Sequence, residues 1–521
     1  MFMNLQMKCC TGVIVLVSAF ASLSSAGETS GSKCNDLGRY FSALAQNREF
    51  SGNVLIAEKG KIIYERSFGY ANREAKRLNA ATTSFPTASV AKTLTSIAIL
   101  QLKEEGKLGL DDPVVKYFPE FPYPAITIRH LLSHTSGLPT YGELLDSRRA
   151  ANPDIVFTNA DFLPAIRNTK VPMEFQPGDS YVYNNTNYLV LALIIERVSG
   201  VSYLNYINEH ILAPAGMHDT SMVLSFPDYR ILQEQTDFAG PYWYPHFWYS
   251  DELVKPDTIP FYAKYWNAYS FKGFSDFRTT THDLLKYDEA LYNGKLLSDA
   301  SLQEAFTPVK LNNGKVNPSG YGLGWEIDEN SPCGKLVNHS GGMMGLSCVL
   351  LRNLTRHQTI IMYANILPDN YTFVIDLPAL KILNGGSVDY PRKTMARAFG
   401  RVLVTEGIDA AMNALRKMKA DPATYILWED DFNSLAYDLM GDSNDLQMPE
   451  QHKYAEAVQV LKLNTEQFPT SSNAFDSYAE ALQKNGQKAE AIKMYTEALR
   501  LNPKNEHAQR TLEELQKPKV Q

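Results

Sequence analysis

The order of strand-like and helix-like stretches limits what this chain can fold into more than any other feature. Val54-Leu-Ile-Ala-Glu58 and Lys61-Ile-Ile-Tyr-Glu-Arg66 flank the turn signal Lys59-Gly60 and predict a hairpin. Short apolar runs of the same kind return late, at Val349–Leu351 and Thr359–Tyr363, and read as strands. Between them the spacing is helical: Val90, Leu94, Ile97, Leu100 and Leu102 recur every three or four residues until Gly106. A second apolar helix is expected from about Asn187 to Val198, stopping at Gly200. Strands at both ends with helices between them predict an α/β layered domain whose sheet joins distant parts of the chain.

Composition excludes several classes. With 521 residues, 44% of them hydrophobic and 21% charged, the chain is neither disordered nor disulfide-dense. A formal charge of −7 gives no electrostatic footprint for nucleic acid. At the N-terminus Lys8 precedes the apolar run Gly12–Leu23, and Ser24-Ser25-Ala26 supplies small residues for cleavage before Gly27. Residues 1–26 therefore read as a secretory signal peptide, too short for the ~20 apolar residues of a membrane anchor. Export to the periplasm or the exterior, without a membrane span, is the expectation. Beyond that segment Cys34, Cys333 and Cys348 remain, which allow one disulfide, such as Cys333–Cys348, and leave one thiol. Neither these nor the ten scattered histidines show metal-ligand spacing, so no metal or other cofactor is expected.

Two other stretches stand out. Sixteen of the forty-nine residues from Phe226 to Phe274 are aromatic. Such a segment either walls an apolar cleft or forms a small core that pins a long insertion. After the linker-like Asn384–Pro391 the chain is rich in helix formers. Ser472–Asn505 spans 34 residues, with Phe475, Tyr478, Ala479, Leu482, Gly486, Ala491, Tyr495, Ala498 and Pro503 at tetratricopeptide positions. Residues 395–517 are read as two such repeats plus a partial one, which either bind a protein or peptide partner or brace the preceding domain.

Three short motifs carry chemistry. Ser89-Val-Ala-Lys92 opens the first apolar helix and places an amine one turn from a hydroxyl. Ser30-Gly-Ser-Lys33 matches the same spacing, but in a Gly/Ser-rich stub where no helix is expected. Tyr183-Asn-Asn185 precedes the second helix and offers a proton-relay phenol and an amide for a substrate carbonyl. His339-Ser340-Gly341 follows a short strand, Leu336-Val-Asn338, and runs into Gly342 in a glycine-rich turn. Each alone is commonplace.

Together, in this order and separation, the three motifs resemble those of the β-lactamase-related serine hydrolases, which include class C β-lactamases, D-alanyl-D-alanine carboxypeptidases and esterases. His130-Leu-Leu-Ser-His-Thr-Ser-Gly-Leu-Pro139, Ile194–Gly200 and Tyr321-Gly-Leu-Gly-Trp325 extend the resemblance over about Leu37 to Leu383. It implies a hydrolase domain over residues 35–385, an antiparallel sheet flanked by helices plus a helical subdomain, with the all-α repeat region following. It further implies that Ser89 is the acylated nucleophile, with Lys92 and Tyr183 sharing the proton transfer. Asn185 would orient the substrate amide, and the N–H groups of Ser89 and Gly342 would hold the oxyanion. His339, Ser340 and Gly341 would line the opposite wall. The substrate would be a small peptide, amide or ester, cleaved through an acyl-enzyme. The alternatives are a class C-like β-lactamase and a penicillin-recognising sensor that turns over poorly and binds a partner through its repeats.

Two departures matter. His339 stands where β-lactamases and carboxypeptidases usually carry lysine, favouring a D-amino-acid peptidase or esterase over a β-lactamase. As a free histidine it would gain charge at mildly acid pH and then favour anionic substrates. Phe274-Ser-Asp-Phe-Arg-Thr-Thr280 replaces a stretch containing Gly-Gly, which implies a remodelled cleft wall.

Overall fold

The computed structural model describes residues 29–152, 154–167, 171–223, 232–234, 236–260, 263, 270–367, 372–388, 391–441 and 452–517. The signal-peptide reading of residues 1–26 lies outside them. A helix α1, Thr29–Gln46, leads into the hairpin β1, Gly52–Glu58, and β2, Lys61–Phe68. Lys59 and Gly60 both take positive φ, 51° and 71°, as a tight two-residue hairpin requires. The stub read at Ser30–Lys33 is therefore corrected: its backbone is the first turns of α1. The remaining strands of the sheet come late: β3, Glu326–Asp328; β4, Leu336–Met343; β5, Leu346–Asn353; and β6, Gln358–Ala364.

The strand order is β2-β1-β6-β5-β4-β3, antiparallel throughout, so β1 lies between its hairpin partner and a strand 300 residues later. Gly52 faces Ala364 and Glu58 faces Gln358 in that pairing. Period-two alternation sorts the buried side chains onto two faces. Leu55, Leu350 and Ile361 join the larger core, while Val54, Ile56, Val349 and Ile360 join a second core with Leu37, Phe41 and Ile375.

The larger core holds the two central helices, α2, Ala91–Glu104, and α3, Asn185–Ser199, both buried on nearly every side. Gly200 ends α3 in the left-handed conformation at φ 77°, where a side chain would be strained. A helix α4, Thr281–Tyr292, packs against β1 and β6, and α5, Thr372–Leu383, covers the opposite face beside α1. Among the described residues no single helix is long and apolar enough to cross a membrane.

Beyond Pro391 the regular structure of the described residues is helical apart from a two-residue parallel pairing of Lys393–Thr394 with Tyr425–Ile426. Helices α6 to α12 span Met395–Glu406, Ile408–Lys419, Glu429–Met440, Tyr454–Gln467, Ser472–Lys484, Lys488–Leu501 and Glu506–Gln516. Helix α6 packs on both α7 and α8, and from α8 onward each helix packs on the next, around two small cores.

Of the aromatic run, Tyr242–Tyr249 lies at the seam between this region and the sheet domain, whereas Phe271 and Phe274 join the larger core. Tyr242 and Tyr244 are buried in a small cluster with Ile366, while Trp248 and Tyr249 pack on the first helical core. The Trp248 N–H donates to Asp438 at 3.2 Å, and the buried Arg397 guanidinium stacks 3.8 Å from the Phe247 ring centre. Asp251 joins Arg48 at 2.8 Å, Arg397 at 3.4 Å, and Arg401. For these residues the pinning role holds, and the cleft-wall role does not. The disulfide reading is also corrected: Cys34, Cys333 and Cys348 are free thiols, with Cys348 in the larger core and Cys333 against the other one.

Candidate active site

Ser89 sits in a 3₁₀ turn, Ala88–Val90, directly before α2, where backbone N–H groups have no partner within the helix. Ala88 is forced to φ 42° while almost fully buried, a conformation L-residues rarely adopt and one that costs of order 1 kcal/mol or more. The turn is pinned from two sides. The Thr87 N–H and hydroxyl both donate to the Phe277 carbonyl, at 2.8 and 2.9 Å, and the Cys348 thiol donates to the Thr87 carbonyl at 3.0 Å.

Lys92, one turn on, is fully buried, with Nζ 2.9 Å from Ser89 Oγ and donating to the Phe274 carbonyl at 3.3 Å. The aromatic rings of Tyr183, Phe274 and Tyr188 surround it at 4.9, 5.4 and 5.7 Å. Burial drives its pKa well below the ordinary lysine value, with the Asp276 charge pulling the other way. The Tyr183 ring is 39% exposed at the site's open side. Desolvation of its hydroxyl raises its pKa well above the usual value, against the effect of a hydrogen bond with Ser89. The set therefore pairs an amine inclined to be neutral with a phenol inclined to keep its proton.

Asn185 is the first residue of α3, and its side-chain oxygen is buried without a hydrogen-bond partner among the described residues. Opposite, His339, Ser340, Gly341 and Gly342 all belong to β4, so the motif is a strand and not a turn after one. Gly341 is the point of closest approach. A Cβ there would lie 2.8 Å from Ser89 N, Thr87 O and Cys348 Sγ, so only glycine lets the strand touch the nucleophile turn. Gly342, next along, is exposed.

His339 is buried and fully engaged. Its Nδ1–H donates to the Ser340 carbonyl at 2.6 Å, which leaves Nε2 to accept from the Tyr321 hydroxyl at 2.9 Å. Burial and the nearby Lys92 push its pKa down to about 3. The expectation that His339 gains charge at mildly acid pH is therefore not met; the ring stays neutral.

Three neighbours went unassigned in the sequence. His134, inside the quoted His130–Pro139 stretch, stacks 4.2 Å from Tyr183, and its Nδ1 accepts from the Asn184 N–H and the Asn187 amide, both at 3.1 Å. Tyr321, in the Tyr321–Trp325 stretch, orients His339. Asp276 lies in the departing Phe274–Thr280 segment. Their only signal was membership of those stretches.

The family model described as Beta-lactamase matches residues 37–383. The chain is 36% identical over 360 residues to "Penicillin-binding protein 4*" of Bacillus subtilis, covering 68% of this chain and 76% of that protein. It is 34% identical over 318 residues to "Putative penicillin-binding protein PbpX" of the same organism, covering 61% and 71%. The crystal structure of a penicillin-binding protein from Bacillus halodurans superposes with a TM-score of 0.52 at 27% identity, covering 66% of this chain and 98% of that one. On the matched span and the fold together, this chain belongs to the Beta-lactamase family of serine hydrolases.

Proposed function

We propose that the chain is an exported hydrolase that cleaves D-amino-acid peptides, amides or esters through an acyl-enzyme on Ser89. The observation that carries this reading is the 2.9 Å approach of the buried Lys92 amine, whose pKa burial lowers, to the Ser89 hydroxyl. Lys92 takes the Ser89 proton as Oγ attacks the substrate carbonyl, and the N–H groups of Ser89 and Gly342 meet the oxyanion. Tyr183, holding its proton, gives it to the leaving amine or alcohol as the C–N or C–O bond breaks. Asn185 holds the substrate amide, while His339, Ser340 and Gly341 form the facing wall. The neutral His339 offers no cation to a substrate carboxylate, which favours peptides, amides or esters without a free carboxylate at that position over a β-lactam. The relatives' printed names favour recognition of penicillin as an acylating ligand. Residues 395–517 are proposed as tetratricopeptide-like helices that brace the hydrolase domain or bind a partner.

A panel of D-Ala-terminated peptides, short-chain esters and β-lactams tests the reading in wild type and Ser89→Ala. Turnover of peptides or esters, lost in the variant, is expected. Efficient β-lactam turnover with no peptide or ester cleavage would overturn the substrate class. Slow acylation without turnover of any substrate would favour a sensor.

A further inference from the structure

The segment that departs from the family pattern approaches the catalytic lysine from behind. Gly273 holds φ 113°, and a Cβ there would come within 2.3 Å of the Tyr188 carbonyl, so the loop is pressed onto α3. The Gly273 carbonyl accepts from the Thr95 hydroxyl of α2 at 2.7 Å, which ties the loop to the helix that carries Lys92. Asp276 is 4% exposed, and its Oδ1 accepts from the N–H groups of Gly273 and Ser275, at 3.2 and 3.1 Å. Those two donors flank Phe274, whose carbonyl takes the Lys92 hydrogen bond. Asp276 Oδ2 is buried and has no hydrogen-bond partner among the described residues.

A buried carboxylate oxygen without a partner is costly, and the low local dielectric that makes it so strengthens its action on a nearby cation. Burial disfavours the charged form of Lys92, which becomes an ammonium when it takes the Ser89 proton. We propose that Asp276 is a positioning residue for Lys92: it aims the Phe274 carbonyl at the amine and supplies the counter-charge that the ammonium meets. This rests on the acyl-enzyme reading above. The other groups facing Lys92 are the Ser89 hydroxyl, the phenols of Tyr183 and Tyr188, and the rings of His134 and His339. Burial and the lysine itself hold both histidines below their ordinary value, so neither is a counter-ion. Burial also raises the Asp276 carboxyl, while Lys272 and its two N–H donors favour the charged form.

The test is the pH dependence of kcat/KM for a neutral ester, p-nitrophenyl butyrate, in wild type, Asp276→Asn, Asp276→Glu and Ser89→Ala. Asp276→Asn removes the charge, so the Lys92 ammonium becomes less stable and the acid limb moves down by about one pH unit. A weaker base also lowers the plateau roughly threefold to tenfold. Asp276→Glu keeps the charge, so its limb stays at the wild-type position even if its plateau falls. A merely structural role would lower the plateau in both variants and move neither limb; that result, or the failure of both variants to fold, overturns the proposal. Ester cleavage at the wild-type rate in Ser89→Ala would instead overturn the underlying acyl-enzyme reading.

Discussion

At the level of single residues, the proposed mechanism rests on desolvation moving two pKa values apart. Lys92 is driven down and the Tyr183 hydroxyl up, so in that mechanism environment rather than residue type sets which is base and which is acid. The same burial acts on His339 and His134, and it has a cost. Burial holds both rings below their ordinary pKa in the fold, whereas in the unfolded chain they take up a proton below about pH 6.5. A depressed pKa of this kind makes stability fall as pH drops, by about 1.4 kcal/mol per pH unit for each histidine, until the folded value is reached. For His339 that value is about 3. Urea midpoints at pH 7 and pH 5 check this: His339→Gln should lose about 2 kcal/mol less than wild type over that interval. Equal losses would mean that His339 is protonated in the fold. A neutral His339 also implies that KM for an anionic and a neutral ester varies with pH in the same way from about pH 5.5 to 8. An anionic substrate that gains affinity at the acid end would contradict it.

At the level of elements, one close approach joins the sheet to the nucleophile. Gly341 brings β4 against the Ser89 turn, and a methyl group there would have to displace backbone atoms of Ser89 and Thr87. Gly341→Ala is expected to cost about 1–3 kcal/mol by overpacking. Its effect on kcat/KM for a short-chain ester should be larger, on the order of 100-fold, because displacement on the ångström scale is enough to misalign a reacting pair. Wild-type activity with wild-type stability would show that the strand has room to move.

The strands and the two central helices were legible because their signals are local: alternation at Val54–Glu58, a Lys59-Gly60 turn, and apolar residues every three or four positions from Val90. The SxxK pair was legible for the same reason, since helix geometry alone sets its separation. Asp276 and Cys348 were not, because each acts on the Ser89–Lys92 turn from far along the chain, by contacts that only the tertiary fold creates. The neutral state of His339 was missed because the sequence does not display burial. The structured α1 was missed because Gly/Ser content outweighed its later apolar residues, Leu37, Phe41 and Leu44, which the second core buries.

At the level of the whole molecule, the aromatic insertion ties the helical region to the hydrolase domain. Trp248 and Tyr249 lie on the helical core, and Asp251 gathers arginines from both regions. Removing residues from Tyr390 onward would expose these rings and leave Asp251 with Arg48 alone among those partners. We therefore expect a chain ending before Tyr390 to give less soluble protein and a lower Tm than the full chain. A soluble fragment with full activity and unchanged Tm would instead assign the helices to a separate binding role.

Activation of Ser89 by Lys92 to form a covalent acyl-enzyme is read directly by intact-mass spectrometry with peptide mapping. Incubation with a fluorophosphonate serine probe should add one label per chain, on the peptide that carries Ser89. The label should be absent in Ser89→Ala, and its formation strongly slowed in Lys92→Met. A label of equal extent in Ser89→Ala, or equally fast labelling in Lys92→Met, would contradict the account.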